Sequence, residues 1–500
     1  MKPSFRATLI ASLALMFAGC TTQVETPIID LSATPGEETA GELNDDVEIG
    51  TEVGLPARLS DGDEFRLSTK ALIAFGQKSF DAVWTPQEGG GRPLTKGNGQ
   101  PLADMSDPLI FPRNFNRLSA MDSNSCASCH NTPYSGGGGH FTANAFIPSQ
   151  RFDFLNFSTS SSISTKAFLD ERGRAVTLIT DGLKTDSATN SRATIGLFGS
   201  GYIEMLARQM TSELRRQRDS LAPGASVRLT SKGFDYGTLS RREDGTWDVS
   251  KVEGIAASSL VAEGSSGAPS LVLRPFHQSS VVVSIREFTN NAMNHHHGIQ
   301  TTERFGPNSD PDGDGHDNEL SRAEVTATSV FQATLPVPGR VIPRNRKIEH
   351  AVWKGERQFE AIGCATCHRS SLPLTDNAWV YSEPNPFNPP GNLLPNEVEK
   401  ILEVDLNNES LPGARLAVQN GVVNVPAYTD LKTHDITSGP NDPNCEPINM
   451  QHPSMLDGRA NPAFFDGNCR FLTKKLWGVA NEPPYFHHGK YTTLREAILA

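Results

Sequence analysis

Two short cysteine–histidine motifs constrain this chain more than any other feature. Each has the form C-x-x-C-H, one at Cys126–His130 and one at Cys364–His368. Two thiols three positions apart on a helical turn can reach the two vinyl groups of one porphyrin, and the next residue, histidine, then lies under the iron. A C-x-x-C pair alone is also typical of a redox dithiol or of half a zinc site, but the immediate histidine argues against both. The motifs therefore predict two covalent c-type haems, attached through Cys126, Cys129, Cys364 and Cys367, with His130 and His368 as the proximal iron ligands.

The N-terminus has the pattern of an export signal. Lys2 and Arg6 precede an apolar run, Leu9–Phe17, that is too short to span a bilayer as a mature helix. Small residues then precede Cys20, as in a bacterial lipobox. This pattern predicts a lipoprotein signal over residues 1–20 and a periplasmic protein held to the membrane by acyl chains on Cys20. An ordinary signal peptide with an incidental cysteine is the alternative.

Composition excludes one class of partner and predicts a tether. The 500 residues carry a formal net charge of −12 and no basic block. This argues against nucleic acid, because nucleic-acid binding needs a cationic face. Residues 21–62 are rich in Thr, Glu, Asp and Pro and poor in large apolar side chains, so we expect a flexible tether there.

Two of the seven cysteines remain once the haem motifs and Cys20 are set aside. These are Cys445 and Cys469, which lie in irregular sequence. Export places the chain in an oxidising compartment, where a leftover pair is expected to form a disulfide. Two separate thiols are the alternative.

Apolar spacing predicts the main elements and domains. Helical spacing of Leu72, Phe75, Phe80 and Val83 predicts a helix within residues 63–84. Further expected elements are a helix at Tyr202–Arg218, short strands over 226–250 with a turn at Glu243–Gly245, and a short amphipathic helix, Lys354–Gly363, that leads into the second motif. The predicted domains are a first haem domain at 63–335, with an insert at about 150–275, and a second at 340–500, where the chain stops inside an apparent helix.

Four segments beside the motifs carry a further pattern. They are Arg192–Glu204, Arg274–His277 with Arg286–Phe288, His296–Gly306, and Leu476–Gly489 followed by Thr493–Ala497. Together with the two haem motifs they resemble the di-haem oxidoreductases related to bacterial di-haem cytochrome c peroxidase and MauG. The resemblance covers roughly residues 63–500 and implies two all-α cytochrome domains that exchange electrons. The predicted fold class is accordingly mainly α, with two cytochrome c-like haem domains, a long mixed α/β insert and many loops.

Two residues are candidates for catalysis at the first haem. Glu204 matches a position of the resembled family and would move a proton during O–O cleavage, whereas a solvated helix glutamate is the alternative. His140 follows a glycine run and is a candidate distal ligand, with a surface histidine as the alternative. Arg286 is expected either near a haem propionate or in a bidentate ion pair.

Other histidines and methionines are candidate ligands or supports. His295–His297 form a cluster in which at most two side chains share a site, because adjacent residues point in different directions. Met450 and Met455 are candidate axial ligands of the second haem. His487 and His488 are expected to organise the pocket of that haem by hydrogen bonds.

An acidic loop predicts a calcium site. Residues 310–318 match the first half of an EF-hand loop, although the twelfth position is Ser321 rather than Glu. A solvated acidic turn is the alternative. The candidate ligands are Asp310, Asp312 and Asp314, with Glu319 or Glu324 as a substitute for the missing carboxylate.

These features predict an enzyme with two covalent haem c groups and, at the acidic loop, calcium. A small redox protein would donate electrons to the second haem, and the first haem would reduce hydrogen peroxide. Two alternatives stay open. One is a lipid-anchored electron-transfer cytochrome in which both haems are six-coordinate, and the other is a MauG-like oxidase acting on a protein or a small substrate.

Overall fold

Helices and small antiparallel sheets alternate along the chain. The structure is a computed structural model that describes residues 50–90, 125–139, 143–146, 190–263, 267–310, 314–439, 442, 444–445, 468–489 and 491–500. Several predicted features lie outside these ranges: the signal segment at residues 1–20, the tether up to residue 49, residues 150–189 of the insert, His140, Asp312, Met450 and Met455. No helix within the described ranges is long and apolar enough to cross a membrane.

The described residues contain eight α-helices. Their bounds are α1 Thr69–Asp81, α2 Cys126–Cys129, α3 Ser200–Asp219, α4 Ile285–Ala292, α5 Thr302–Phe305, α6 Arg322–Thr334, α7 Arg346–Ala361 and α8 Leu494–Leu499. A π-helix at Met293–His297 continues α4, and a 3-10 helix at Cys364–Thr366 carries the second motif.

Fourteen short strands form six antiparallel sheets in the same part of the chain. The pairs are β1 Ala143–Phe146 with β2 Asn190–Ala193, β6 Ala262–Glu263 with β7 Ala268–Pro269, β9 Val380–Glu383 with β10 Leu402–Asp405, and β13 Thr433–Asp435 with β14 Arg470–Leu472. The three-stranded sheets are β3 Ser226–Ser231, β4 Phe234–Arg241 and β5 Trp247–Val252, and β11 Val418–Gln419, β12 Val422–Val425 and β8 Leu372–Leu374.

The expectation of a mainly α fold is wrong. Helices make up 32% of the structure and strands 17%, in several small antiparallel sheets. Seven of these strands, β8–β14, follow the second motif, where the sequence had predicted a cytochrome c-like domain. They are two to four residues long, which is too short for an alternating apolar pattern to reveal them.

Helix α6 lies at the centre of the hydrophobic core. Every residue from Ala323 to Thr334 is buried, and α1, α3 and α4 all pack against this helix. Gly76 of α1 allows the closest approach, because a Cβ atom there would lie 2.0 Å from the Ala327 carbonyl oxygen. The core is continuous from Leu55 to Trp477.

Several predicted elements are confirmed, with shifts at their ends. The expected first helix is α1, but it ends at Asp81, so Val83 lies outside it and is exposed. The predicted Tyr202–Arg218 helix is α3, and the turn at Glu243–Gly245 connects β4 to β5.

The end of the predicted tether packs onto the core. Leu55 and Leu59 are buried, and the Arg58 guanidinium pairs with the buried Glu324 carboxylate at 2.7 Å. Residues 50–62 are therefore part of the folded unit, and only the preceding residues remain candidates for a tether.

The expected disulfide is confirmed. Cys445 and Cys469, 24 positions apart in sequence, are joined by an S–S bond. In a chain-entropy account, closing a loop of this length removes conformational freedom from the unfolded chain and stabilises the fold by about 3 kcal/mol.

Replacing both cysteines with serine is expected to lower the free energy of unfolding by about 3 kcal/mol. Chemical denaturation of the full chain measures the change, and the unaltered chain in a thiol reductant is the control. Reduction should lower its stability by a similar amount. Equal stability of the double variant and the oxidised chain would contradict this role.

Candidate functional site

The first motif borders a cavity in the described part of the chain. Cys126, Cys129 and His130 line a space of about 1220 Å³, solvent at its mouth included. The wall is largely apolar, as the walls of ligand pockets in proteins typically are. Its apolar side chains include Phe80, Ile203, Phe288, Ala292, Leu431 and Leu472.

A tight turn after the motif orients the His130 imidazole. The chain reverses so that the Gly138 amide donates to the Thr132 carbonyl oxygen, 2.9 Å away. Gly137 is required here, because a Cβ atom would lie 1.8 Å from the same carbonyl oxygen. The Gly137 carbonyl oxygen then accepts a hydrogen bond from His130 Nδ1 at 3.3 Å.

That hydrogen bond fixes the tautomer of His130. With the proton on Nδ1, Nε2 carries the lone pair that would bind a metal. A hydrogen bond from the other ring nitrogen is the usual support for a ligating histidine. Burial lowers the pKa of His130 to about 4, so the imidazole is neutral at physiological pH. A neutral imidazole is the form that binds iron.

The two thiols of the first motif also suit covalent attachment. Neither Cys126 nor Cys129 takes part in a disulfide, and both border the cavity. Burial raises the pKa of the Cys126 thiol to about 12, so it stays protonated without a reaction partner. Two thiols and a neutral imidazole facing one apolar cavity are the donor set that a covalently bound porphyrin requires.

The histidine cluster lies at the same cavity. His296 and His297 both line it, and His297 Nε2 lies 3.4 Å from Cys126 Sγ. The π-helix at Met293–His297 places these two neighbours on one wall. Two members of the cluster thus share a site, and the side chain of His295 lies outside the described set.

Polar residues to which no sequence motif assigns a role line another part of the wall. His277 lines the cavity with a backbone φ of 60°, a left-handed conformation that is unusual for a non-glycine residue. Lys474 donates from Nζ to the His277 carbonyl oxygen at 2.5 Å. Lys475 donates to the Phe198 carbonyl oxygen at 2.7 Å. In the sequence, only the segments around residues 274–277 and 476–489, which carry the family resemblance, indicated this part of the cavity.

The cavity makes both lysines easier to deprotonate. Burial penalises their charged forms and lowers the pKa of Lys474 to about 7 and that of Lys475 to about 8. The carboxylate of Glu482 offsets part of this effect at Lys475. Lys474 is therefore a group that gains and loses a proton near neutral pH at the cavity wall.

Residues 482–487 also pack beside the first motif. The Ala193 amide donates to the His487 carbonyl oxygen at 3.0 Å, and the Gly196 amide donates to Glu482 at 3.2 Å. His487 stacks on Phe471 with ring centroids 3.8 Å apart. This corrects the expectation that His487 and His488 organise the pocket of the second haem.

The second motif is more open to solvent. Cys364, Cys367 and His368 are partly exposed, and the preceding helix α7 has no buried residue. His368 Nδ1 donates to the Tyr428 carbonyl oxygen at 2.8 Å, so its Nε2 is available in the same way as that of His130. The thiols of this motif are also free of disulfides.

An acid–histidine pair lies next to Cys367. The Asp430 carboxylate is buried and meets His434 Nε2 at 2.7 Å. With Cys367 Sγ they form a group whose potential ligand atoms lie within 4.8 Å of one another. The same sulfur belongs to the C-x-x-C-H motif, so thioether attachment of a porphyrin would remove it from a separate metal site.

Glu204 lies away from the cavity. Its side chain is fully buried, and its Oε1 accepts from Arg208 and, at 2.7 Å, from Asn385 Nδ2. Its Oε2 accepts from the Ile285 amide at 2.7 Å. Ile203, one position earlier, lines the cavity instead. The carboxylate is neither a solvated helix glutamate nor in a position to act on a ligand in this cavity.

Arg286 takes the second of its two predicted roles, the ion pair. Its guanidinium is fully buried and meets the carboxylates of Glu303 at 2.6 Å and Glu383 at 3.2 Å. These carboxylates raise the pKa of Arg286, against the effect of burial. Arg286 thus joins α4 and α5 to β9, which follows the second motif.

The acidic loop is largely exposed. Glu319 and Glu324, the expected substitutes for the missing carboxylate, bind other parts of the chain. The Asp310 carboxylate accepts from the amides of Asp314 and Gly315 at 3.1 and 3.0 Å. Glu324 pairs with Arg58, and Glu319 accepts from the Gln300 amide. Calcium binding at Asp310, Asp312 and Asp314 stays a prediction. The loop lacks the carboxylate that an EF-hand has at its twelfth position.

In comparisons with protein families, with curated proteins and with solved structures, nothing matches this chain. The functional assignment therefore depends on the motifs and on the geometry of the two sites.

Proposed function

We propose that the chain is a periplasmic di-haem c-type oxidoreductase that reduces hydrogen peroxide. The observation that carries the proposal is the difference between the two motif sites. Cys126, Cys129 and His130 face a largely apolar cavity, whereas Cys364, Cys367 and His368 are partly exposed. An enclosed haem suits chemistry on a small ligand, and an exposed haem suits electron exchange with a partner.

The residues of the first site would each have a distinct task. Bound haem iron supplies the redox centre at which peroxide is reduced. His130 would hold the iron through Nε2, and the apolar wall would exclude bulk water. Lys474 Nζ would deliver a proton to a departing oxygen, since its lowered pKa of about 7 suits proton transfer near neutral pH. Lys474 thus replaces Glu204 as the proposed proton donor.

The second site would serve electron entry. His368 would hold the iron, and the partly exposed motif would allow a small redox protein to approach its haem edge. A basic donor would be favoured by the net charge of −12. A lipid on Cys20 would keep the reaction at the membrane surface.

Mixing the reduced full-length holoprotein with hydrogen peroxide tests the function. We expect peroxide-dependent oxidation of both haems, repeated turnover with an electron donor, and a high-spin signal from one haem. If both haems stay low-spin in every redox state and peroxide is not consumed, the chain is an electron-transfer cytochrome. Turnover that needs an organic co-substrate would instead favour the MauG-like alternative.

A further inference from the structure

Tyr381 is a buried tyrosine with a proton acceptor in place. Its side chain is inaccessible to solvent, and its hydroxyl donates a hydrogen bond to Glu383 Oε1. The other carboxylate oxygen accepts from Arg286 Nη1 at 3.2 Å. Because both oxygens accept hydrogen bonds, Glu383 has the bonding pattern of an ionised carboxylate.

Buried ion pairs surround the phenol. Glu204 pairs with Arg208, and Arg286 pairs with Glu303 and Glu383. The side chains of all five residues are buried. Such an interior disfavours a reaction that leaves a new unpaired ion.

We propose that Tyr381 is a redox-active residue that gives up one electron while Glu383 takes its proton. The phenolic O–H bond breaks, a carboxylic O–H bond forms on Oε1, and the products are a neutral tyrosyl radical and a neutral acid. The electron passes to a one-electron oxidant, which in the holoprotein is a haem that peroxide has oxidised.

Burial couples the two transfers. It raises the pKa of Tyr381 well above its ordinary value, and it also raises that of Glu383. A phenolate is therefore disfavoured before oxidation, and the protonated acid is favoured after it. Electron loss and proton transfer are expected to occur together, because an oxidised phenol is a strong acid and Glu383 Oε1 already accepts its hydrogen bond.

Tyr381 packs against the helix that borders the first cavity. It lies on β9, which packs against helix α3 and follows the second motif in sequence. The first turn of α3 borders the first cavity through Ser200 and Ile203, and Arg208 of the same helix lies 5.1 Å from the Tyr381 ring. The inference that Tyr381 passes an electron to an oxidised haem rests on the proposed peroxidase function.

Tyr236 is a matched control within the same chain. It is equally buried, and Lys432 Nζ lies 5.1 Å from its ring, the same distance as the cation at Tyr381. Its hydroxyl has no hydrogen-bond partner among the residues that the structure describes. The two tyrosines thus differ chiefly in the proton acceptor, so of this pair only Tyr381 is expected to form a radical.

A photochemical experiment tests Tyr381 without peroxide. The holoprotein is irradiated with a ruthenium polypyridyl complex and a sacrificial electron acceptor, and radicals are trapped by freezing and detected by electron paramagnetic resonance. We expect a tyrosyl signal that narrows when the chain contains ring-deuterated tyrosine. The signal should persist in Tyr236→Phe and be lost in Tyr381→Phe and in Glu383→Gln.

Folding controls keep the result interpretable. Circular dichroism and haem spectra establish that each variant is folded, and the deuterium effect identifies a tyrosyl radical in the unaltered sequence. A signal that survives in folded Tyr381→Phe would overturn the proposal. So would the absence of any tyrosyl signal in the unaltered protein when the photo-oxidant has been consumed.

A parallel sample treated with hydrogen peroxide separates this proposal from the proposed function. A Tyr381 signal in both experiments supports both. A photochemical signal at Tyr381 without a peroxide-generated one supports the redox-active tyrosine and counts against peroxide as the natural oxidant.

Discussion

Replacing His130 with alanine is expected to abolish peroxide reduction. The imidazole is the only side-chain nitrogen that the first motif itself offers to the iron, and its Nδ1 is already held by the Gly137 carbonyl oxygen. Removing an outer partner of a metal ligand typically costs 10- to 100-fold in activity, so removing the ligand should lower kcat by more than about 100-fold. Stopped-flow measurement of peroxide consumption by the reduced protein checks the prediction.

The matched variant is His368→Ala at the second motif. If electrons enter there, steady-state turnover with an external donor should fall, while one reaction of the pre-reduced first haem with peroxide should remain fast. His350→Ala, on the exposed helix α7, controls for loss of an imidazole and should leave both measurements unchanged. Equal single-turnover rates in His130→Ala and the unaltered chain would refute the assignment of chemistry to the first motif.

Local patterns in the sequence predicted local features well. In C-x-x-C-H, the spacing of the residues sets how the two thiols and the histidine lie relative to one another. In the structure, the Nδ1 atoms of His130 and His368 each donate a hydrogen bond to a backbone carbonyl oxygen. The amphipathic pattern of α3 and the turn at Glu243–Gly245 also predicted their elements, because each depends on residues within one helix or hairpin.

Features that depend on distant segments escaped prediction. His277 and Lys474 meet at one cavity wall from positions almost 200 residues apart, and no local pattern indicates such a contact. The placement of Glu204 could not be predicted from helical spacing. Ser200 and Glu204 are four positions apart, so they lie on the same side of the helix. Ser200 and Ile203 nevertheless border the cavity, whereas Glu204 does not, because its carboxylate is held by Arg208, Asn385 and the Ile285 amide.

Replacing Arg286 with methionine is expected to lower the free energy of unfolding by about 3–5 kcal/mol. The guanidinium is fully buried between Glu303 and Glu383, and it also donates to Thr326 Oγ1 at 2.9 Å. Methionine is long enough to fill much of the space, but it leaves two buried carboxylates without their cation. Denaturant unfolding of the holoprotein, followed by far-ultraviolet circular dichroism, measures the loss.

Arg340→Met is the control for the loss of a guanidinium. Arg340 pairs with Glu356 at 2.9 Å, but both side chains are about half exposed, so this change should cost no more than about 1 kcal/mol. Adding Glu303→Gln to Arg286→Met should restore part of the stability, because one of the uncompensated charges is removed. The buried network would lose its assigned structural role if Arg286→Met were no more destabilising than Arg340→Met. Partial rescue by Glu303→Gln would identify unpaired buried charge, rather than lost packing, as the cause of the destabilisation.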